Sequence, residues 1–82
     1  MTTQEVQNSV IDVVSKQIEL SKDKIRPESR FSEDLGCDSL DLAEIMMDLE
    51  DEFDITVSDD DAKATKTISE AVAYIEKQIS SR

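Results

Sequence analysis

One glycine and one proline in 82 residues leave a chain with almost no turn chemistry for β-hairpins. Sheets are disfavoured, and the apolar residues recur at helical rather than alternating spacing, so an all-α fold is expected. Thr2 with Glu5 forms a candidate capping box ahead of Val6, Val10, Val13, Val14 and Ile18, which predicts a first helix over roughly residues 3–18. Periodicity lapses from Ser21 to about Leu35 around Pro27, which disfavours helix at the preceding residue. This segment reads as a long loop anchored by Ile25 and Phe31. Asp38 is placed to cap a second helix running to about Asp51, and Thr67 with Glu70 repeats the capping box before a last helix over about 68–79. Between them Ser58 caps a short helix, Asp59 to Lys63, held by Val57 and Ala62. The expected architecture is a small four-helix bundle forming one domain, 1–82, with a long loop after helix one and a short third helix.

Charge narrows the range of functions. Twenty acidic against nine basic residues give a net charge of −11, so nucleic acid and anionic membranes are poor partners and basic proteins good ones. The chain has no His, which removes the usual general base and the Ser/His/Asp triad, and its single cysteine, Cys37, cannot form an internal disulfide. No catalytic residue is assigned. The longest apolar run, Ala71 to Ile75, is far below the roughly 20 residues of a membrane span, and the first residues carry no secretory pattern. A monomeric cytoplasmic protein without membrane insertion is expected.

The acid is unevenly spread. Phe31 to Ala62 holds thirteen of the acidic residues and no Lys or Arg, so the whole excess sits on the second helix and its flanks. Asp59-Asp60-Asp61 runs on into Ala62-Lys63-Ala64 without the glycine an EF-hand loop needs, and no metal site is assigned, although loose Mg²⁺ or Ca²⁺ association with so many acids is compatible with the pattern. On a helical wheel with Ser39 at zero, Leu42, Ile45, Met46, Leu49 and Phe53 fall between about 240° and 340°, one core-facing stripe. Leu40 and Met47 lie on the other side, near 100° and 80°, with Ala43 beside them and Asp41, Glu44, Glu50 and Asp51 around them. An apolar ridge inside an acidic ring has the form of an interface anchor with a charged rim, so these seven residues are the expected docking face.

The only glycine stands in Leu35-Gly36-Cys37-Asp38-Ser39-Leu40-Asp41. That stretch resembles the Leu-Gly-x-Asp-Ser-Leu attachment motif of the acyl carrier proteins. Downstream, Leu49-Glu50-Asp51-Glu52-Phe53 resembles the family's leucine, acidic run and phenylalanine, and Ala71-Val72-Ala73-Tyr74-Ile75 resembles the end of its last helix. The resemblance covers nearly the whole chain.

It implies that a phosphopantetheinyl transferase, the holo-carrier synthase, moves the 4′-phosphopantetheine arm of coenzyme A onto Ser39, with Gly36, Asp38 and Leu40 as motif context. The serine needs no local base because the transferase activates it. The chain would then carry acyl groups as thioesters and deliver them to ketosynthases, acyltransferases and other basic-surfaced enzymes of fatty-acid biosynthesis. By the same resemblance the acyl chain folds into an apolar tunnel, here lined by Phe31, Met46, Leu49, Val57, Ala62 and Ala71. Ser58 stands where the family usually has proline, Thr65 where it usually has a branched apolar residue, and Leu42-Ala43 where primary fatty-acid carriers often have Thr-Val. Carriers of polyketide, special-lipid or aminoacyl cargo therefore stay open, as does an unmodified acidic helical adaptor. Cys37, flanked by acids that raise a thiol pKa, reads as an inert spacer.

Overall fold

The local signals at the helix starts are realised as hydrogen bonds. In the computed structural model, which describes residues 2–81, α1 spans Thr3–Ile18, α2 Ser39–Phe53, α3 Asp59–Ala64 and α4 Ile68–Ser80. Met1 and Arg82, the ends of the expected 1–82 domain, lie outside the described residues. Thr2 with Glu5 and Thr67 with Glu70 form reciprocal capping boxes, and Ser58 caps α3 through the Asp61 N–H. Among the described residues the only β pairing is an isolated bridge between Arg30 and Thr67.

Three boundaries move outward from the sequence reading, that of α3 by one residue, from Lys63 to Ala64. Helix α2 continues past Asp51 to Phe53 because the chain reverses only at Asp54, whose left-handed backbone (φ 53°) places the Ile55 N–H on the Glu50 carbonyl at 3.1 Å. Helix α4 ends one residue later than expected, at Ser80. The long loop holds one 3₁₀ turn, Lys22–Lys24, before Pro27.

The buried apolar residues form one cluster: Val6, Val10 and Val14 from α1, Ile45, Met46, Leu49 and Phe53 from α2, and Ile68, Ala71, Val72 and Ile75 from α4. Helix α1 packs on both α2 and α4. The loop adds Ile25 and Phe31, each such buried side chain contributing about 1.5–3 kcal/mol of apolar transfer. Leu42, expected within the core stripe, is only half-buried.

Backbone hydrogen bonds fasten the loop to the start of α4. The Phe31 N–H donates to the Lys66 carbonyl at 2.9 Å, Ile68 to Ser29 at 3.1 Å and Ser69 to Pro27 at 2.8 Å. Arg30 ties the next turn by reaching Asp34 (Nε to Oδ2, 3.1 Å) and Glu33. These bonds fix the direction from which the chain enters Gly36 and α2.

Candidate functional site

Gly36 has φ +70°, a left-handed conformation that a Cβ makes costly, and it turns the chain from the loop into α2. Cys37 follows with its N–H on the Phe31 carbonyl at 2.8 Å and its side chain buried in the core. Burial pushes the thiol pKa up, and Asp41 and Asp38 push it further. This side chain, expected as a spacer, is a member of the core.

Asp38 caps α2 by accepting the Asp41 N–H at 2.8 Å, and Asp41 returns the bond to the Asp38 N–H at 3.4 Å. Asp41 of the expected ring is thereby half-buried in a capping box. Ser39, the first residue of α2, is exposed, and its hydroxyl makes no hydrogen bond among the described residues. The first turn adds the positive end of the helix dipole to its surroundings.

Two clefts open beside this serine. One, of about 280 Å³, lies between the loop and the α3–α4 connection and includes Phe31, Cys37, Asp38, Thr65 and Lys66 in its walls. The other, of about 260 Å³, lies between α2 and α3 and is lined by Met46, Met47, Val57 and Ala62 among others. Ser39, Leu42 and Lys63 belong to both. Of the expected tunnel residues, Met46, Val57 and Ala62 line the second cleft and Phe31 the first, while Leu49 and Ala71 are core residues outside both. A periodic stripe identifies the inward face of α2 but not which of its members border a gap, and neither the cleft position of Leu42 nor that of Lys63 on α3 follows from it.

The second cleft has a tethered far wall. The Glu50 carboxylate accepts the Val57 N–H at 2.9 Å, tying the segment before α3 to α2, and the Tyr74 hydroxyl donates to Asp61 at 2.9 Å, tying α3 to α4. Thr65 is buried, and its hydroxyl donates to the Asp61 carbonyl at 2.8 Å, closing the end of α3. A hydroxyl at this buried position is therefore satisfied.

On the outer face, Leu40 and Met47 are 66% and 62% exposed, and Ala43 lies between them at helical spacing. Asp51 is exposed at the next turn. Glu44, expected in the ring, instead accepts a hydrogen bond from Gln17 of α1, and Glu50 is half-buried by its bond to Val57. The sequence wheel lacked these two neighbours. No group of three or more His, Cys, Asp or Glu side chains among the described residues is arranged to hold a metal ion.

Residues 8–75 match the family described as PP-binding, Phosphopantetheine attachment site. The chain belongs to this carrier family. It is similar to the acyl carrier proteins of Chlorobium phaeovibrioides (strain DSM 265 / 1930) and Chlorobium luteolum (strain DSM 273 / BCRC 81028 / 2530), 45% identical to each over 78 residues. That of Chlorobium phaeobacteroides (strain DSM 266 / SMG 266 / 2430) is 44% identical over the same length. Each match covers 95% of this chain and all of the relative. A member of this family is a carrier rather than a catalyst, and its prosthetic group is 4′-phosphopantetheine. The exposed hydroxyl of Ser39, without a hydrogen bond among the described residues and at the junction of two clefts, fits such a group.

Proposed function

We propose that this protein carries acyl chains on a 4′-phosphopantetheine arm joined to Ser39 and delivers them to the enzymes of fatty-acid biosynthesis in the cytoplasm. The observation that carries this reading is the position of Ser39: exposed, in the first turn of α2, and on the wall of both clefts. When bound, the group supplies a terminal thiol that holds an acyl chain as a thioester. The N-terminal end of α2 favours a negative phosphodiester, against which Asp38 and Asp41 work. With no His in the chain and no hydrogen bond to the Ser39 hydroxyl among the described residues, its proton is taken by a phosphopantetheinyl transferase.

Leu42, Met46, Val57 and Ala62 give the α2–α3 cleft apolar walls suited to an alkyl chain. If a cavity of about 150 Å³ takes the six carbons of benzene, about 260 Å³ accommodates on the order of ten. Leu40, Ala43 and Met47 present an apolar ridge to ketosynthases and acyltransferases, with Asp51 on the rim to attract their basic surfaces. Among the described residues no helix is long and apolar enough to cross a membrane.

The deciding experiment is intact mass after incubation with coenzyme A, Mg²⁺ and a phosphopantetheinyl transferase. Wild type gains one phosphopantetheine and Ser39→Ala gains none. Modification of Ser39→Ala, or no modification of wild type by several competent transferases, refutes the assignment.

A further inference from the structure

The three residues shared by the two clefts are unequal. Ser39 and Leu42 stand on α2, whereas Lys63 faces them from α3. It is the first cation after the thirteen-acid stretch from Phe31 to Ala62. Asp59 lies four residues before it on the same helix, the spacing at which Asp and Lys pair, yet Lys63 makes no ion pair among the described residues. Lys16 and Lys22 both engage Asp12, and Arg30 on the wall of the first cleft is taken by Glu33 and Asp34, whereas Lys24, Arg26, Lys66 and Lys77 share with Lys63 the lack of an ion pair among the described residues, and of these five only Lys63 lines both clefts. A lysine without an ion pair among the described residues thus lines both clefts beside a serine that has Asp38 and Asp41 for neighbours.

We propose that Lys63 is a positioning residue that pairs with the phosphodiester joined to Ser39 and holds the root of the arm at the junction of the two clefts. This rests on Ser39 as the attachment serine. A phosphodiester adds one negative charge to a region already crowded with carboxylates, and a cation on the opposite wall offsets that addition. The lysine stem carries a compact charge on four flexible carbons, so one side chain can serve the mouth of either cleft. Lys66 lines only the first cleft and is the internal control. Lys63 is exposed, so its replacement leaves the core intact.

The test compares wild type, Lys63→Gln, Lys63→Arg and Lys66→Gln, each with and without the arm. Intact mass first establishes that every loaded sample carries one phosphopantetheine, which separates a failure of the serine assignment from a failure of the pairing. The phosphodiester ³¹P shift is then read, together with the change in melting temperature on loading at 0.01 M and 1 M NaCl. In Lys63→Gln the ³¹P signal moves, and at low salt loading costs about 2–4 °C more than in wild type, the scale of one exposed ion pair in a domain this small. The difference vanishes at 1 M salt, where the Debye length is about 3 Å. Lys63→Arg restores the wild-type pattern and Lys66→Gln leaves it unchanged. A fully loaded Lys63→Gln with wild-type ³¹P shift and melting change overturns the proposal, as does an equal effect of Lys66→Gln.

Discussion

Replacing Glu50 with Ala removes the carboxylate that accepts the Val57 N–H at 2.9 Å, and with it a tether between the end of α2 and the segment leading into α3. A hydrogen bond to a charged group contributes about 1.5–3 kcal/mol, and because Val57 is only half-buried its freed N–H regains some water, so the low end applies. Against this stands relief of repulsion. Asp54 lies four residues on, the helical spacing at which like charges cost about 0.2–0.5 kcal/mol at low salt. The net loss is then about 1 kcal/mol in dilute buffer. At 1 M NaCl, where screening removes the repulsion but spares most of the hydrogen bond, the loss grows to about 1.5 kcal/mol, or about 6–12 °C in melting temperature. Glu50→Gln keeps a carbonyl acceptor and should stay near wild type, whereas Asp51→Ala should be neutral or stabilising at low salt. The assay is urea unfolding followed by helical circular dichroism at 0.01 M and 1 M NaCl, compared at constant m. A Glu50→Ala variant as stable as wild type at 1 M salt refutes the tether.

Three further outcomes are expected. Gly36→Ala meets no atom within 4 Å of the new Cβ, so only the left-handed backbone opposes it; a penalty of about 1–2 kcal/mol, partly offset by a less flexible unfolded chain, leaves a loss of about 1 kcal/mol. Gly36→Asn should lose less, and equal urea midpoints for all three proteins would show that the turn is unstrained. Asp34 titrates below its ordinary value near 3.8, first because of its hydrogen bond to the Arg30 side chain and then because of the Arg30 N–H. The stability it adds is therefore complete above that value and drains as pH falls through the lower folded one. Arg30→Gln should raise the NMR titration midpoint of the Asp34 carboxyl, and an unmoved midpoint would leave the backbone N–H as the sole cause. Met47→Ala should change stability by less than about 0.5 kcal/mol yet weaken transfer to a basic partner by more than about 1 kcal/mol at unaltered salt dependence, read as kcat/KM with the carrier as substrate.

Interactions that reach only three or four residues were legible in the sequence. Thr2 with Glu5, the Asp38 cap, Ser58 with Asp61, and Thr67 with Glu70 fix where the four helices begin, because a cap needs only the first turn of its own helix. The 3.6-residue period likewise told which side of α2 turns inward, and Leu40 and Met47 stand on the exposed side. Gly36, before the motif serine, takes the left-handed turn that its lack of a Cβ permits.

What a side chain meets across space followed from no such period. Leu49 and Ala71 are core while half-buried Leu42 borders the clefts, although Leu42 and Leu49 belong to one stripe of α2. Glu44 and Glu50 occupy the polar side of the same wheel, yet one is held by Gln17 of α1 and the other by the Val57 backbone. No period of the sequence marks Lys63, and its place on the walls of both clefts comes from how α3 lies against α2 and how the long loop is fastened to α4. A helix sequence fixes the direction of each side chain relative to its own axis, but how close another helix approaches depends on every packed residue between them, and only the tertiary structure sums those contacts.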